Sequence, residues 1–420
     1  MAKSKEVRPV CYAKGMPRFD PFAGLRYDAA AARLAEVIAP PYDVVDENGR
    51  AVLAERSPYN SIQVELPVPD EARGLDRYAN AAGLLASWEQ AGVLRRDDVA
   101  SFYVYRMRYL DEAGTERSTT GVIGALGIDE PGGGEVLPHE RTMPKPKGDR
   151  LDLLRACRTN SSPIWGLSLA EGLTEACTRA VVSLGAPIGA EDDDGVSHEY
   201  WPVSDPDAIA EISRLVGASP VVIADGHHRY ETAGFYRGER RGANGDQPGP
   251  YDALMAYVVE LSPNELQVQP IHRLVSGLAA DVDLLAALAE SFLIEPGPSD
   301  PLALAKQMTA RGALGLLTSK QAALLVPTPE LSAAAEADLD SSRLDAALAA
   351  LAPHEVAYQH GLRNVADAVA AGQAQAGFLL RPATVAQIAD TAHLGRRMPP
   401  KTTFFQPKPR TGLVFRSLNE

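Results

Sequence analysis

The sequence has little of several features that would reveal a function class directly. Its formal net charge at pH 7 is −14, from 41 Lys and Arg against 55 Asp and Glu. A general nucleic-acid-binding protein needs a basic surface to meet phosphate backbones, so this balance argues against one. The negative net charge is compatible with binding of a small anionic ligand, which requires only a local positive site.

Cysteines and long apolar runs are also scarce. The three cysteines, Cys11, Cys157 and Cys177, show neither paired nor metal-type spacing, which favours a reducing cytoplasmic location. There is no run of about 18 apolar residues, which a membrane span needs. The basic stretch MAKSKEVRPVCYAKG at the N-terminus lacks the apolar core of a signal peptide. We therefore expect a cytoplasmic protein without a membrane partner; no pattern indicates its oligomeric state.

The chain is longer than one ordinary domain, and helix and strand patterns alternate along it. Its 420 residues are 45% hydrophobic and 23% charged, which is typical of a globular protein with two or three domains. We predict an N-terminal α/β section (1–130), a core (131–290) and a helical C-terminal section with a substrate-covering tail (291–420). The alternation predicts a mixed α/β or α+β fold.

Periodicity and turn residues predict the local elements. Apolar spacing indicates helices over 76–91 and 148–157. β-branched and alternating runs indicate strands over 101–109, 119–128 and 220–224.

Three further segments are interpreted from their composition. EDDDG (191–195) predicts an exposed acidic loop, and GERRGANGDQPGP (238–250) a second loop. YDALMAYVVEL and LQVQPIHRLV predict a pair of strands joined at Ser262–Asn264. The alanine-rich stretch 278–350 predicts helices.

One short stretch, SPVVIADGHHRYETA (219–233), concentrates unusual residues in a chain with only 8 His. An apolar run stops at Asp225 and Gly226, and His227, His228 and Arg229 follow. If a strand ends here and a helix begins, the last three residues lie at a helix N-terminus, whose open N–H groups and dipole favour anions. Gly226 supplies a positive φ or room for close backbone approach, and Arg229 can fork onto phosphate oxygens. The pattern predicts a di- or triphosphate site, with Asp225 holding Mg2+ or orienting a hydroxyl.

Two other interpretations of these residues stay open. An Asp-Gly pair is by itself an ordinary turn, so the stretch could be purely structural. A zinc site is less favoured, because neighbouring side chains on a helix diverge by about 100° whereas zinc motifs place two histidines at i and i+4.

A second charged segment, HERTMPKPKGDR (139–150), is shaped by two prolines and a glycine. Its carboxylate, Glu140, lies among cations, an arrangement suited to phosphoryl transfer. Glu140 could deprotonate an alcohol while Arg141 or Lys145 neutralises the transferring group. A solvated charge run has a similar composition, and this interpretation also remains.

Several more residues are candidate substrate contacts. Some of these residues lie in rigid loops flanked by prolines, and others follow a predicted strand or lie in the aromatic tail. A structural role is the alternative for each. They are Tyr42, Asp43, Asn60, His272, Arg273 and Thr402, with Lys401 as a phosphate contact. If the C-terminal tail folds over the phosphate site, it would exclude water and limit hydrolysis of the nucleotide.

DGHHRYETA resembles the DGHHR box of the ParB/sulfiredoxin-like superfamily, in particular of its free serine kinase branch. The longer pattern resembles a bacterial family catalogued only as a domain of unknown function. The segments that carry it are APPYDVV, SPYNSIQVELP, LPHERTMPKPKGDRLDLLRA, IADGHHRYETA, PIHRLV and MPPKTTFFQPKPRTGLVF.

The resemblance implies a ParB-like core in which the histidines and arginine of the box hold the phosphates of a nucleotide. Asp225 then serves Mg2+ or the chemistry, and Glu140 acts as base on the hydroxyl of free serine. The extra N-terminal section and the C-terminal tail depart from the smaller kinases of this type, which leaves the substrate open.

We therefore expect a kinase that transfers a phosphoryl group from ATP or ADP to free L-serine or a similar metabolite. No G-x-x-x-x-G-K-[ST] motif is present, but positioning and electrostatics can catalyse this transfer without one. A nucleotide-binding switch of the same superfamily is the alternative, and a scaffold that kept the box without turnover is a third.

Overall fold

The protein is described by a computed structural model over residues 16–111, 114–130, 133–138, 148–279, 281–351 and 353–419. Helices and strands are interleaved throughout this part of the chain, which confirms the mixed α/β class. No helix of the described residues is long and apolar enough to cross a membrane.

The helices α1 to α14 are Leu34–Val37, Glu47–Arg56, Ile62–Glu65, Arg77–Gln90, Gly148–Cys157, Leu173–Val181, Pro206–Val216, His227–Ala243, Leu284–Leu288, Pro301–Arg311, Pro329–Ala334, Asp340–Leu348, Leu362–Ala370 and Val385–His393. Short 3-10 turns cover Tyr42–Val44 and Pro250–Asp252. The strands β1 to β21 are Phe19–Asp20, Leu25–Tyr27, Leu94–Arg96, Phe102–Leu110, Glu116–Gly127, Val136–Pro138, Thr159–Asn160, Ile164–Ser168, Ile188–Glu191, Ser197–Val203, Val221–Asp225, Ala253–Glu260, Gln267–Pro270, His272–Ser276, Phe292–Pro296, Leu314–Thr318, Ala322–Pro327, Glu355–Gln359, Ala376–Leu379, Thr403–Gln406 and Arg416–Ser417.

Compactness divides the described chain into two units. The first contains the residues up to Pro138, those from 148 to Leu266 and those from Pro407 onward; the second is Gln267–Gln406. The three sections expected from the sequence stay a prediction, and so does a ParB-like core.

The first unit is built on a nine-stranded sheet. Its strand order is β6-β11-β8-β12-β5-β4-β10-β9, with β1 paired to β5. β11 runs parallel to β6 and β12 parallel to β8, while the other pairs are antiparallel. One core cluster joins residues of this sheet to α6, α7 and Ala233 of α8. The sheet therefore holds the C-terminal end of β11 and the start of α8 in a fixed frame.

The second unit is built on a six-stranded antiparallel sheet, β15-β17-β16-β19-β14-β18. Alternate residues of its strands enter two separate apolar clusters, as the two-residue period of a strand requires. One cluster contains residues of α9, α11 and α12, and the other contains residues of α10 and α13. Helices therefore cover both faces of this sheet.

Composition misled the sequence-based interpretation in this region. The stretch 278–350 is not all helical, because β15, β16 and β17 lie within it. Alanine favours helices in isolation, but leucine-rich strand segments buried on both faces gain more from packing in the sheet. The expectation that the stretch 278–350 is helical was therefore wrong.

Two other local expectations also need correction. Residues 238–243 continue α8 instead of forming a loop. Arg241 explains this extension, because its guanidinium donates to Asp252 at 2.8 Å and ties the last turn to the unit. The strands β12 and β13 do not pair, since β12 joins β5 and β8 while β13 joins β20.

His272 in β14 supports a pH prediction for the second unit. It is buried, its Nδ1 accepts a hydrogen bond from the Leu380 amide at 3.1 Å, and burial with neighbouring Arg273 and His360 lowers its pKa from 6.5 to about 4. Because this pKa is lower in the folded state, its stabilising contribution is complete above about pH 6.5 and is lost as the pH falls through about 4. At 1.36 kcal/mol per pKa unit, the full loss is about 3 kcal/mol.

His272→Asn keeps an acceptor for the Leu380 amide but does not titrate in this range. Urea denaturation at pH 7.5, 6 and 5 is expected to show that the wild type loses unfolding free energy faster than the variant. Parallel pH dependence of the two proteins would contradict a neutral, buried imidazole.

Candidate functional site

The turn between β11 and α8 is determined by its glycine. Gly226 is the N-cap of α8 and has a φ of +92°. A Cβ there would lie 2.9 Å from Cγ2 of Ile164 and 3.1 Å from Cζ of Arg229, so only glycine fits. No side chain caps the helix, which begins at His227, and its first-turn N–H groups give this end a partial positive charge.

Arg229 folds back from the first turn of α8 onto the end of β11. Its Nη2 donates to Oδ2 of Asp225 at 2.8 Å, and its Nη1 donates to the Ser162 hydroxyl at 3.3 Å and to the Pro163 carbonyl. Burial by itself would lower the pKa of Arg229. The nearby carboxylates, Asp225 first and then Asp43, outweigh burial and raise this pKa above its usual value. With its side chain only 14% exposed, the guanidinium is a fixed cation at the strand end.

Lys408 completes the pairing of Asp225 from the far end of the chain. Its Nζ lies 2.8 Å from Oδ1 of Asp225 and 3.2 Å from Oδ2 of Asp43, and its side chain is 13% exposed. Burial opposes the charge, but Asp225 and Asp43 outweigh it, so the pKa of Lys408 is raised. Both oxygens of Asp225 are therefore paired with cations.

A further cation and carboxylate extend this cluster around the Tyr42 ring. The guanidinium of Arg150 lies 4.5 Å from the ring centroid, and that of Arg229 lies 6.0 Å from it. Arg150 donates to the Glu65 carbonyl at 2.7 Å, and its Nη1 lies 3.4 Å from Oε2 of the same residue. Burial raises the pKa of Tyr42, which keeps the phenol neutral. Arg150 also donates to Oδ2 of Asp149, at 2.7 and 2.9 Å. Three cations thus lie among four carboxylates: Arg150, Arg229 and Lys408 with Glu65, Asp149, Asp225 and Asp43.

The loop that carries Lys408 is anchored two residues further on. The guanidinium of Arg410 donates to Oδ2 of Asp192 at 2.8 Å, and the same carboxylate lies 2.7 Å from Nε2 of buried His198. Burial would raise the pKa of Asp192, but His198 and Arg410 hold it far below its usual range. The loop 191–195 is therefore not wholly exposed, since Asp192 is a buried anchor.

A cavity of about 60 Å3 lies beside the cluster, lined by Tyr42, Glu65, Arg150, Ser162 and Arg229 among others. This volume suits a water or two. Small-molecule sites occupy about 300–1,000 Å3, so the cavity itself does not accommodate a nucleotide.

Among the described residues, Asp225 offers no free carboxylate oxygen for a bound Mg2+ or Zn2+, and the expected Mg2+ stays a prediction. Both oxygens of Asp225 are paired with cations, and a divalent cation needs oxygens free to coordinate. Within the part of the chain that the structure describes, no group of three or more His, Cys, Asp or Glu side chains could hold a metal ion.

Of the other residues expected at the site, Tyr42 and Asp43 lie beside the box, but Asn60 does not face a ligand. Its amide donates to the Glu36 carbonyl at 2.7 Å and accepts from the Ile62 amide at 3.0 Å, and the residue is completely buried. It orders a loop, which corrects the expectation of a substrate contact. Glu140 and Lys145 lie outside the described residues.

Four expected contacts belong to the second unit: His272, Arg273, Lys401 and Thr402. Arg273 is buried and donates to the Ile271 and Lys401 carbonyls at 2.6 and 3.0 Å. Thr402 donates to the Pro399 carbonyl at 2.8 Å. Lys401 is exposed, with a φ of +59°. His272 and Arg273 hold their own unit together, and the expected role of all four at the box stays a prediction.

Sequence reasoning missed four members of the cluster: Lys408, Arg150, Asp149 and Glu65. The tail around Lys408 stood out for its lysines and prolines, but nothing local distinguishes Lys408 from Lys401. Only the fold brings Lys408 within bonding distance of a residue 183 positions earlier.

Comparison with solved structures finds weak similarity. A mutant free serine kinase in complex with AMP is 14% identical, with a TM-score of 0.35 over 64% of this chain and 84% of that one. A conserved hypothetical protein from Pyrococcus furiosus is 11% identical, with a TM-score of 0.35 over 67% and 90%. SbnI with a C-terminal truncation, from Staphylococcus aureus, is 11% identical, with a TM-score of 0.38 over 69% and 85%. TM-scores this low assign neither a fold nor a ligand to this chain.

No curated protein matches the chain. A family described as "protein of unknown function (DUF1015)" matches residues 19–347, which is most of the sequence. The chain therefore belongs to the DUF1015 family.

Proposed function

We propose that this protein is a nucleotide-dependent kinase that transfers a phosphoryl group from ATP or ADP to the hydroxyl of free L-serine or a similar metabolite. One observation carries the proposal: Arg229 and Lys408 converge on Asp225 at the uncapped N-terminus of α8. Helix N-termini with adjacent cations are suited to phosphate. The DGHHR resemblance supports the choice of a nucleotide.

In this proposal Asp225 positions the two cations and does not accept a proton. Both oxygens of Asp225 are already paired with these cations, which leaves neither of them directed at a substrate hydroxyl. An incoming phosphate competes with Asp225 for Arg229 and Lys408, which then stabilise charge on the transferring group. Removal of the hydroxyl proton falls to Glu140, as the resemblance implies, and Lys145 is the proposed neighbouring cation.

The test is direct. The full chain is incubated with labelled ATP, and separately with ADP, together with L-serine and a pool of hydroxyl-bearing metabolites. A phosphorylated small molecule is the expected product. Slow hydrolysis without an acceptor would favour the nucleotide-binding switch, which the locked state of Asp225 also suits. Absence of nucleotide binding would overturn both functions.

Glu140→Gln separates binding from chemistry. We expect nucleotide affinity to stay within about twofold and turnover to fall by roughly 10²- to 10⁴-fold, the contribution usual for general base catalysis. Calorimetry with ATP or ADP measures the first quantity, and product formation measures the second. Failure of the Gln variant to bind nucleotide would show that Glu140 has another role.

A further inference from the structure

The second unit contains a larger cavity that the proposed kinase site does not use. Its volume is about 540 Å3, within the range of about 300–1,000 Å3 that small-molecule sites occupy. Val326, Pro327 and Leu380 contribute an apolar wall, and the first turn of α12 with Arg343 and Arg381 contributes a polar one. The cavity is therefore wide enough for a metabolite and mixed in character.

One of the two arginines, Arg381, pairs with a buried carboxylate. Arg381 donates from its main-chain N and its Nε to Oδ2 of Asp340, both at 2.9 Å, and from Nη2 to Oδ1 at 2.5 Å. The Asp340 side chain is 4% exposed. This pair neutralises itself and closes one side of the cavity.

The other arginine, Arg343, shares the buried carboxylate of Asp340 and pairs more closely with an exposed carboxylate. The Arg343 side chain is 13% exposed, yet its Nη2 pairs with Asp338, whose side chain is 81% exposed. Its Nη1 lies 3.5 Å from Oδ1 of Asp340, at the limit of a hydrogen bond. Its Nε is buried and has no hydrogen-bond partner among the described residues.

The charge of Arg343 is balanced less closely than that of Arg381. Exposed ion pairs contribute little, while a largely buried charge needs a hydrogen-bonded partner. Because Asp340 lies closer to Arg381 than to Arg343, an anion in the cavity would give Arg343 a closer partner.

The start of α12 adds a second feature that favours an anion. The N-cap is Leu339, which provides no side-chain hydrogen bond, and Leu339, Asp340 and Ser341 line the cavity. The N-terminus of α12, where the first N–H groups lack intrahelical partners and the helix dipole is positive, therefore borders the cavity beside Arg343.

We propose that this cavity binds a small organic anion. Its acidic group pairs with Arg343 and the first turn of α12, and its carbon skeleton lies against Val326, Pro327 and Leu380. The acidic group is a carboxylate or a phosphate, since a guanidinium and helix N–H groups recognise both. This site is independent of the proposed kinase activity.

The test uses the full chain and two probes, succinate and inorganic phosphate, in separate calorimetric titrations. Both are repeated in Arg229→Ala, so that binding at the DGHHR box is not counted. We expect saturable binding of at least one probe, unchanged by Arg229→Ala and weakened at least tenfold by Arg343→Met. The probe that binds identifies the acidic group.

The matched control is Arg363→Met, which removes an exposed arginine of α13 in the same unit and is expected to leave binding unchanged. If Arg343→Met does not fold, Arg343→Lys decides: it keeps the charge without the planar fork, and we expect binding to weaken several-fold. Absence of saturable binding in the wild type would overturn the proposal. Equal affinity in the wild type and the Arg343 variant that folds would also overturn it.

Discussion

Replacing Arg229 with alanine is expected to weaken nucleotide binding by about 1–3 kcal/mol, or roughly 5- to 150-fold in Kd. The variant removes a charge-assisted contact and frees Oδ2 of Asp225, which Arg229 now holds at 2.8 Å. That oxygen then repels phosphate instead of pairing with a cation. Calorimetric titration of wild type and variant with ATP and with ADP measures the effect.

Two further variants make this result specific. Arg214→Ala removes an exposed arginine from α7 of the same unit and is expected to leave affinity unchanged. Arg229→Lys keeps the charge but cannot fork, so its affinity is expected to lie between those of the wild type and the alanine variant. If Arg229→Ala lowers the melting temperature but leaves nucleotide affinity intact, Arg229 has only a structural role.

Replacing Lys408 with methionine is expected to lower both stability and nucleotide affinity. Without the ammonium, Asp225 and Asp43 face each other uncompensated on that side. Breaking a buried ion pair costs about 3–5 kcal/mol, and because these carboxylates are a quarter to a third exposed we expect about 1–3 kcal/mol of unfolding free energy to be lost. Urea denaturation measures the stability, and calorimetry measures the affinity.

The double variant Lys408→Met with Asp43→Asn separates these two effects. Removing one carboxylate is expected to restore part of the stability, whereas nucleotide affinity stays low because the phosphate-facing cation is still missing. Lys320→Met, which removes an exposed lysine, is the control. Recovery of full affinity in the double variant would show that Lys408 only relieves repulsion between carboxylates.

The turn at the box could be predicted because its causes are local. An apolar β-branched run, a glycine and a following helical period occupy consecutive residues, and the observed strand, positive φ and helix start follow that order. The helix begins at His227, so His227, His228 and Arg229 lie in its first turn, as expected. Gly226 permits this by taking the N-cap position without a side chain.

The length of α8 and the strands within 278–350 were not predictable in the same way. Glycine and alanine content indicates which secondary structure a segment prefers in isolation. In these segments the secondary structure is instead determined by the contacts that they make in the fold. Arg241 ties the end of α8 to Asp252, and β16, which contains Leu314 and Leu316, pairs on one side with β19, far along the chain. Tertiary contacts overrode local preference at both places.

By itself, the sequence determined the α/β alternation, the glycine turn and the concentration of cations and carboxylates near the box, since these depend on neighbouring residues. Only the tertiary structure decided that Lys408 and Arg229 share Asp225, that Asn60 is buried, and that Arg343 lines a cavity with its closest ion pair to an exposed carboxylate. Pairing between charges distant in sequence depends on which segments the packed core brings together. No local pattern contains that information.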